Sequence, residues 1–517
     1  MRRLATTSFF LATLLLPTLG LALDNQRPVT LAQAEQAHPA QKTETKPFDP
    51  HAAHAPAPSA GPWFDLSGLP PPRRADDLGR HRYAITVANE EARAFFDQGL
   101  IYAYGFNHLE ALRAFRYAQT LDPEYAMCFW GEAYVLGPNL NLSMEAGATA
   151  MARTAAEKAV AKATKTTPKE QALAAAILMR YAEPGERPEL DRRYAEAMQR
   201  VAQSFPDDPD IATLAAESLM LLSPWDYWRD AGRAAKEHTP QALKLLESAL
   251  AAHPDHIAAI HFYIHLVEAS DQPQRAEPYA DRLRGAVPGA GHLLHMPAHI
   301  YLRLGRYKDA LEVNKDAAES DERYIAANPA VHGPYPAMYY PHNVHFYMTA
   351  ALMAGQGQAA LASAEKLARL IPDEAAQTIA PAQPIKQAPY FIHAQFSDPQ
   401  TTLALPPPSD KLPFVVAGWR YARGIALSLL GKPAEAEQEA DAIRIIGSGD
   451  LSMFEKANVP ARGILEIAEK VVRAKAALYG LMRAETVAGD TEAATNARER
   501  FEKARAGGAE EPSLDRM

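Results

Sequence analysis

"EARAFFDQGLIYAYGFNHLEALRAFRYAQTLDPEY", residues 91–125, decides the fold. A 34-residue frame started at Ala92 puts Gly99 at position 8, Tyr102 at 11, Ala111 at 20, Phe115 at 24, Ala118 at 27 and Pro123 at 32. Small residues fall where two antiparallel helices must approach closely, and large ones fill the gaps beside them. Pro123, which has no amide to donate, then stops the second helix.

This spacing is the tetratricopeptide repeat (TPR) pattern, with Phe95 where Trp is usual. Outward from it, the frame returns at 257–290 (Ala276, Pro288), 291–324 (Ala298, Tyr301, Ala310, Ala317) and 341–374 (Ala360, Pro372). A looser copy spans 417–450 (Gly424, Ala436). Thr167, Pro168 and Glu170 predict a capped helix start in a more degenerate hairpin. No alternating strand pattern of any length is present. The expected fold is all-α, a TPR-like right-handed helical solenoid over residues 83–517.

Before it, residues 1–22 combine a basic start, an apolar run and the small residues Gly20 and Ala22, the pattern of a signal peptide. They predict export, to the periplasm or beyond. Residues 23–82 are rich in Pro, Ala, Gln and His and predict a disordered linker holding His38, His51 and His54. No later run is apolar enough for a membrane span.

Composition excludes several classes. Cys128 is the single cysteine, so disulfides within the chain, cysteine zinc ribbons, iron–sulfur clusters and covalent haem are ruled out. The net charge of -9, with no basic stripe, argues against nucleic acid. Nucleotide loops and nucleophile elbows are missing as well.

The histidines carry the chemistry. Seven of the 17 lie in three blocks, "HFYIH", "GHLLHMPAHIY" and "PHNVHF", within residues 261–345. In the repeat frame His261, His265 and Glu268 share one stripe of a first helix, His292, His295 and His299 a stripe of the next, and His342 and His345 a stripe of the third. These stripes should line the concave groove, where imidazoles from neighbouring helices reach a common point. Such a set suits a transition metal: copper if all ligands are imidazole, zinc or iron if Glu268 joins. Seven exceed the needs of one ion, so some would act behind the ligands or two ions would bind. Pro297 should bend its helix beside His295 and His299.

Around them, Tyr263, Tyr339, Tyr340, Trp130 and Tyr134 are candidates for the groove surface, whereas Tyr301 occupies a packing position. His108, His253 and His256 read as caps or structural residues. Two aromatic insertions, 223–240 and 325–340, are candidate lids, or else ordinary irregular connections.

The blocks "HFYIHLVEAS", "GHLLHMPAHIYLRLGRYKDALEVNKDA" and "YYPHNVHF", with "FDQGLIYAYGFNHLEALRAF", resemble a widespread family of bacterial TPR proteins. The resemblance covers roughly residues 90–140 and 255–355, and it implies a TPR fold and the same histidine blocks, with no activity attached. Two functions therefore stand open. One is a metal site in the groove, with oxidative chemistry possible there; the other is a metal-free scaffold whose groove takes a peptide or partner helix.

Overall fold

The structure is a computed structural model that describes residues 62–457, 459–488, 490–493, 495–497 and 499. The leader and most of the expected linker, with His38, His51 and His54, lie outside the described residues. The described chain is all-α and TPR-like, a succession of antiparallel helix hairpins. It divides into two compact units, one of residues 62–354 with Lys366–Ala375, the other of Gly355–Glu365 and the chain from Ala376 onward.

In the first unit the helices are α1 (Glu90–Tyr104), α2 (His108–Leu121), α3 (Ala126–Leu136), α4 (Thr149–Ala163), α5 (Pro168–Met179), α6 (Arg187–Ser204), α7 (Pro209–Met220) and α8 (Thr239–Ala252). There follow α9 (Ile257–Val267), α10 (Glu277–Leu283), α11 (Gly291–His295), α12 (Pro297–Arg303), α13 (Tyr307–Ala327) and α14 (Tyr340–Met353). From α1 to α9 each helix packs on the next. The 91–125 hairpin closes as its spacing requires: a Cβ at Gly99 would stand 2.8 Å from the Phe115 ring, and one at Gly131 on α3 2.5 Å from it. Phe115 is therefore wedged among three helices, and only glycine leaves room for it. The predicted cap on α5 is present, with Thr167 accepting the Glu170 amide and Glu170 reaching back to the Thr167 amide.

Three local expectations change. From residue 62 the expected linker is packed rather than disordered. Trp63, Phe64 and Leu78 are buried, and Gln98 holds the Ala75 amide and the Arg73 carbonyl. Second, insertion 223–240 contains a two-residue antiparallel ribbon, β1 (Trp228–Arg229) with β2 (Ala234–Ala235), Trp228 opposite Ala235. Third, insertion 325–340 ends in a π-helical turn, Tyr335–Tyr339, that runs into α14. Pro297 acts as expected: the ladder breaks at Met296, separating α11 from α12.

In the second unit Ala382–Phe396, Pro413–Leu429, Pro433–Ser448 and Ala461–Ala488 pack in sequence as further hairpins. A Cβ at Gly424 would stand 2.6 Å from Val472, the close approach expected of its repeat position. Among the described residues no helix is long and apolar enough to cross a membrane.

Candidate metal centre

Six of the seven histidines fall into two triads. His261 and His265, one turn apart on α9, meet His292 of α11; His295 and His299, on either side of the Pro297 break, meet His342 of α14. Within each triad one nitrogen per ring lies within 4.8 Å of the others. The triads adjoin, with ring centroids 5.3 Å apart for His265 and His299 and 5.6 Å for His292 and His295.

Four of the outer nitrogens are committed. His261 Nδ1 donates to the Tyr104 carbonyl at 2.6 Å. His295 Nδ1 donates to Asn314 Oδ1 at 2.6 Å; the Asn314 amide is oriented by its own bond to the Ala310 carbonyl. Glu268 takes His265 Nδ1 at 3.2 Å and His299 Nδ1 at 2.6 Å. With the proton assigned to Nδ1 by these acceptors, Nε2 keeps its lone pair. In the second triad the lone pairs of His295 and His299 converge, Nε2 to Nε2 at 2.9 Å, and His342 Nε2 lies 3.1 Å from His295 Nε2. His261 Nε2 has no hydrogen-bond partner.

Glu268 was expected among the ligands; it stands behind one ring of each triad instead. Burial pushes its carboxyl up, but the facing His299 and His265 outweigh burial and hold it below the usual range. Burial, and then the neighbouring imidazoles, push His261 and His295 well below the ordinary imidazole value, and burial lowers His265. Rings so placed stay neutral, the form that ligates metal.

The expected open groove is closed. All seven histidines are at most 7% exposed. Each triad has a phenylalanine against it: Phe106 lies 4.6 Å from His261 and 5.3 Å from His292. Phe346 lies 4.5, 4.7 and 4.6 Å from His295, His299 and His342. Both insertions contribute, Trp225 standing edge-on to His265 at 5.0 Å and Tyr339 to His292 at 4.9 Å.

Other expected residues lie elsewhere. His345 is buried, which lowers it to about 4, but it belongs to neither triad. Tyr263 points to the opposite side of α9, bonding Glu247, because a residue two positions from His261 and His265 leaves their stripe. Tyr340 bonds Glu322. Trp130 and Tyr134 stack on each other in the core, and the Tyr134 hydroxyl donates to Glu217. Tyr301 is buried, as its packing position requires.

Several residues of the site went unread in the sequence. Asn314 occupies position 24 of its repeat, where Phe115 stands in the first; a polar residue at a core position was the available signal. Asp321 accepts from the Tyr335 hydroxyl at 2.9 Å and from Asn343 at 2.7 Å, while the Tyr335 hydroxyl takes the His292 amide at 3.2 Å. A Cβ at Gly291 would stand 2.1 Å from Asp321, so glycine is required at the start of α11.

A third group, His81, Asp210 and His256, joins Tyr104 from the other side, the Tyr104 hydroxyl donating to Asp210 at 2.7 Å. His256 Nδ1 caps α9 by accepting the Ala259 amide, so in the neutral ring Nε2 carries the proton, facing Asp210 at 3.2 Å. That ring has no lone pair left for an ion, and the group is a hydrogen-bond network that holds Tyr104, whose carbonyl orients His261.

No protein-family model matches the chain, and no curated protein matches it. Similar solved structures include the human IFIT1 dimer with m7Gppp-AAAA, at 17% identity and TM-score 0.34 over 82% of this chain and 96% of that one. Yeast Tom70 follows at 10% identity and TM-score 0.25 over 78% and 92%. The P58(IPK) TPR domain shows 13% identity and TM-score 0.19 over 72% and 98%. Scores this low carry no argument about the site.

Proposed function

We propose that this protein binds two transition-metal ions, one in each histidine triad, and uses them in redox chemistry on a small molecule. The observation that carries the reading is the 2.9 Å approach of His295 Nε2 to His299 Nε2 while both Nδ1 protons are committed elsewhere. Two lone pairs at that distance repel unless a cation lies between them. Acceptors behind the ligating rings are what metal-binding histidines ordinarily have.

An all-imidazole set without thiolate favours copper, with zinc and iron next. Three protein ligands per ion leave a coordination position open, the condition for catalysis rather than storage. Export, as residues 1–22 predict, belongs to the same proposal.

A proton is the rival occupant, held on His299 by Glu268. The metal-free scaffold, binding a peptide through these histidines, would require the centre to open, since the rings are buried. Elemental analysis of the untagged protein decides among them. The expected result is two equivalents of metal in the wild type and one in each of His265→Ala and His295→Ala. A wild type that takes up no copper, zinc or iron on titration would overturn the proposal.

A further inference from the structure

Phe106 stands where three other repeats of this chain have glycine. In those repeats the residue after the cap of the first helix is Gly305, Gly355 or Gly431, with φ +76°, +69° and +76°. Each is position 15 of its frame; Phe106 is position 15 of the first repeat, with φ +58°. The closing bonds are the same, Asn107 N to the Tyr102 carbonyl at 2.9 Å beside Arg306 N to Tyr301 at 2.8 Å and Lys432 N to Leu427 at 2.9 Å. A side chain in this left-handed conformation is strained, and glycine would relieve it. The phenyl group must therefore be kept for what its ring does.

One side of that ring covers the first triad. Another lines a cavity of about 20 Å³ with Trp63, Leu136, Asn139 and Met144, enough for a water molecule. Asn139 is 3% exposed; its Oδ1 takes the Asn141 and Leu142 amides at 2.8 and 2.9 Å, and its Nδ2 has no partner. The cavity thus offers largely apolar walls, with His108, Ser143 and Glu145 also on its lining, and an unused donor at Asn139.

We propose that this cavity is the approach by which a small neutral molecule bearing one hydrogen-bond acceptor reaches the first triad, with Phe106 as the swinging partition. The inference rests on the first triad being the reactive centre, and its geometry can be tested without metal. The full chain, free of metal, would be treated with diethyl pyrocarbonate, an imidazole-acylating reagent that reports how often the partition opens, and modification of His261 and His292 mapped by peptide mass spectrometry.

Because a closed site reacts only when it opens, modification should be slow in the wild type and about tenfold faster or more in Phe106→Gly. Phe106→Leu, which keeps an apolar plug, should stay close to wild type. The glycine variant should melt no lower than the leucine variant, since its backbone is relieved. Equal rates in wild type and folded Phe106→Gly would overturn the partition. If the glycine variant does not fold, Phe106→Ala, which also removes the ring, takes its place: faster modification than wild type supports the partition, and an equal rate sinks it. Absence of bound metal in the elemental analysis would count against the two-ion proposal alone.

Discussion

Glu268 Oε2 accepts from His299 Nδ1 at 2.6 Å while its other oxygen faces His265 Nδ1 at 3.2 Å, so one carboxylate orients an imidazole in each triad. The two sites consequently share a support. Glu268→Gln should weaken metal binding at both by about 10–100-fold, the usual cost of losing the group behind a ligating histidine. Competition titration against a chelator of known affinity checks this; a loss confined to one ion would mean the carboxylate serves only that triad.

Asn314 supports His295 alone. Asn314→Leu places an apolar residue at position 24 of the repeat but leaves the buried His295 Nδ1 donor without its acceptor, and should destabilise the metal-free protein by about 1–3 kcal/mol. Affinity at the second triad should fall by about 10–100-fold, with the first unchanged. Unfolding curves and the same competition titration, run side by side, separate the two effects.

If a proton sits between His295 Nε2 and His299 Nε2 in the metal-free protein, filling the second triad should release it, because metal and proton compete for the same lone pairs. Calorimetry in buffers of different ionisation enthalpy reads that release. Identical heats in every buffer would count against a proton in the metal-free site.

Away from the centre, burial raises Glu217 from 4.5 to about 7, with Tyr134 donating to it at 2.6 Å. A carboxyl raised in the folded state stabilises it fully below pH 4.5, and that contribution is lost as pH climbs to about 7. Glu217→Gln keeps an acceptor for Tyr134 and removes the titration. Relative to wild type it should gain at most about 3 kcal/mol between pH 4 and pH 8 in denaturant unfolding. A pH-independent difference would show that Glu217 does not titrate in this range.

Gly99→Ala tests the hairpin from which the fold was read. The added methyl would meet the Phe115 ring at 2.8 Å, and Phe115 is already against Gly131. The cost should be about 1–3 kcal/mol, the range for overpacking a filled core. Thermal unfolding measures it, and an unchanged midpoint would mean the ring has somewhere to go.

What the sequence determined by itself was periodic. Gly99 and Phe115 revealed the hairpin, Thr167 and Glu170 a helix start, and the helical stripe put His261 with His265 and His295 with His299, because residues one turn apart share a face whatever surrounds them. The tertiary structure alone decided how the stripes combine. His292 left its sequence neighbours His295 and His299 to join α9, and Glu268 came to stand behind one ring of each triad. The groove closed under Phe106, Phe346, Trp225 and Tyr339. Those outcomes depend on how far apart the helices pack and on where two irregular insertions fold back. Neither has a period, so neither leaves a local signature in the chain; the one trace was polar Asn314 at a core position.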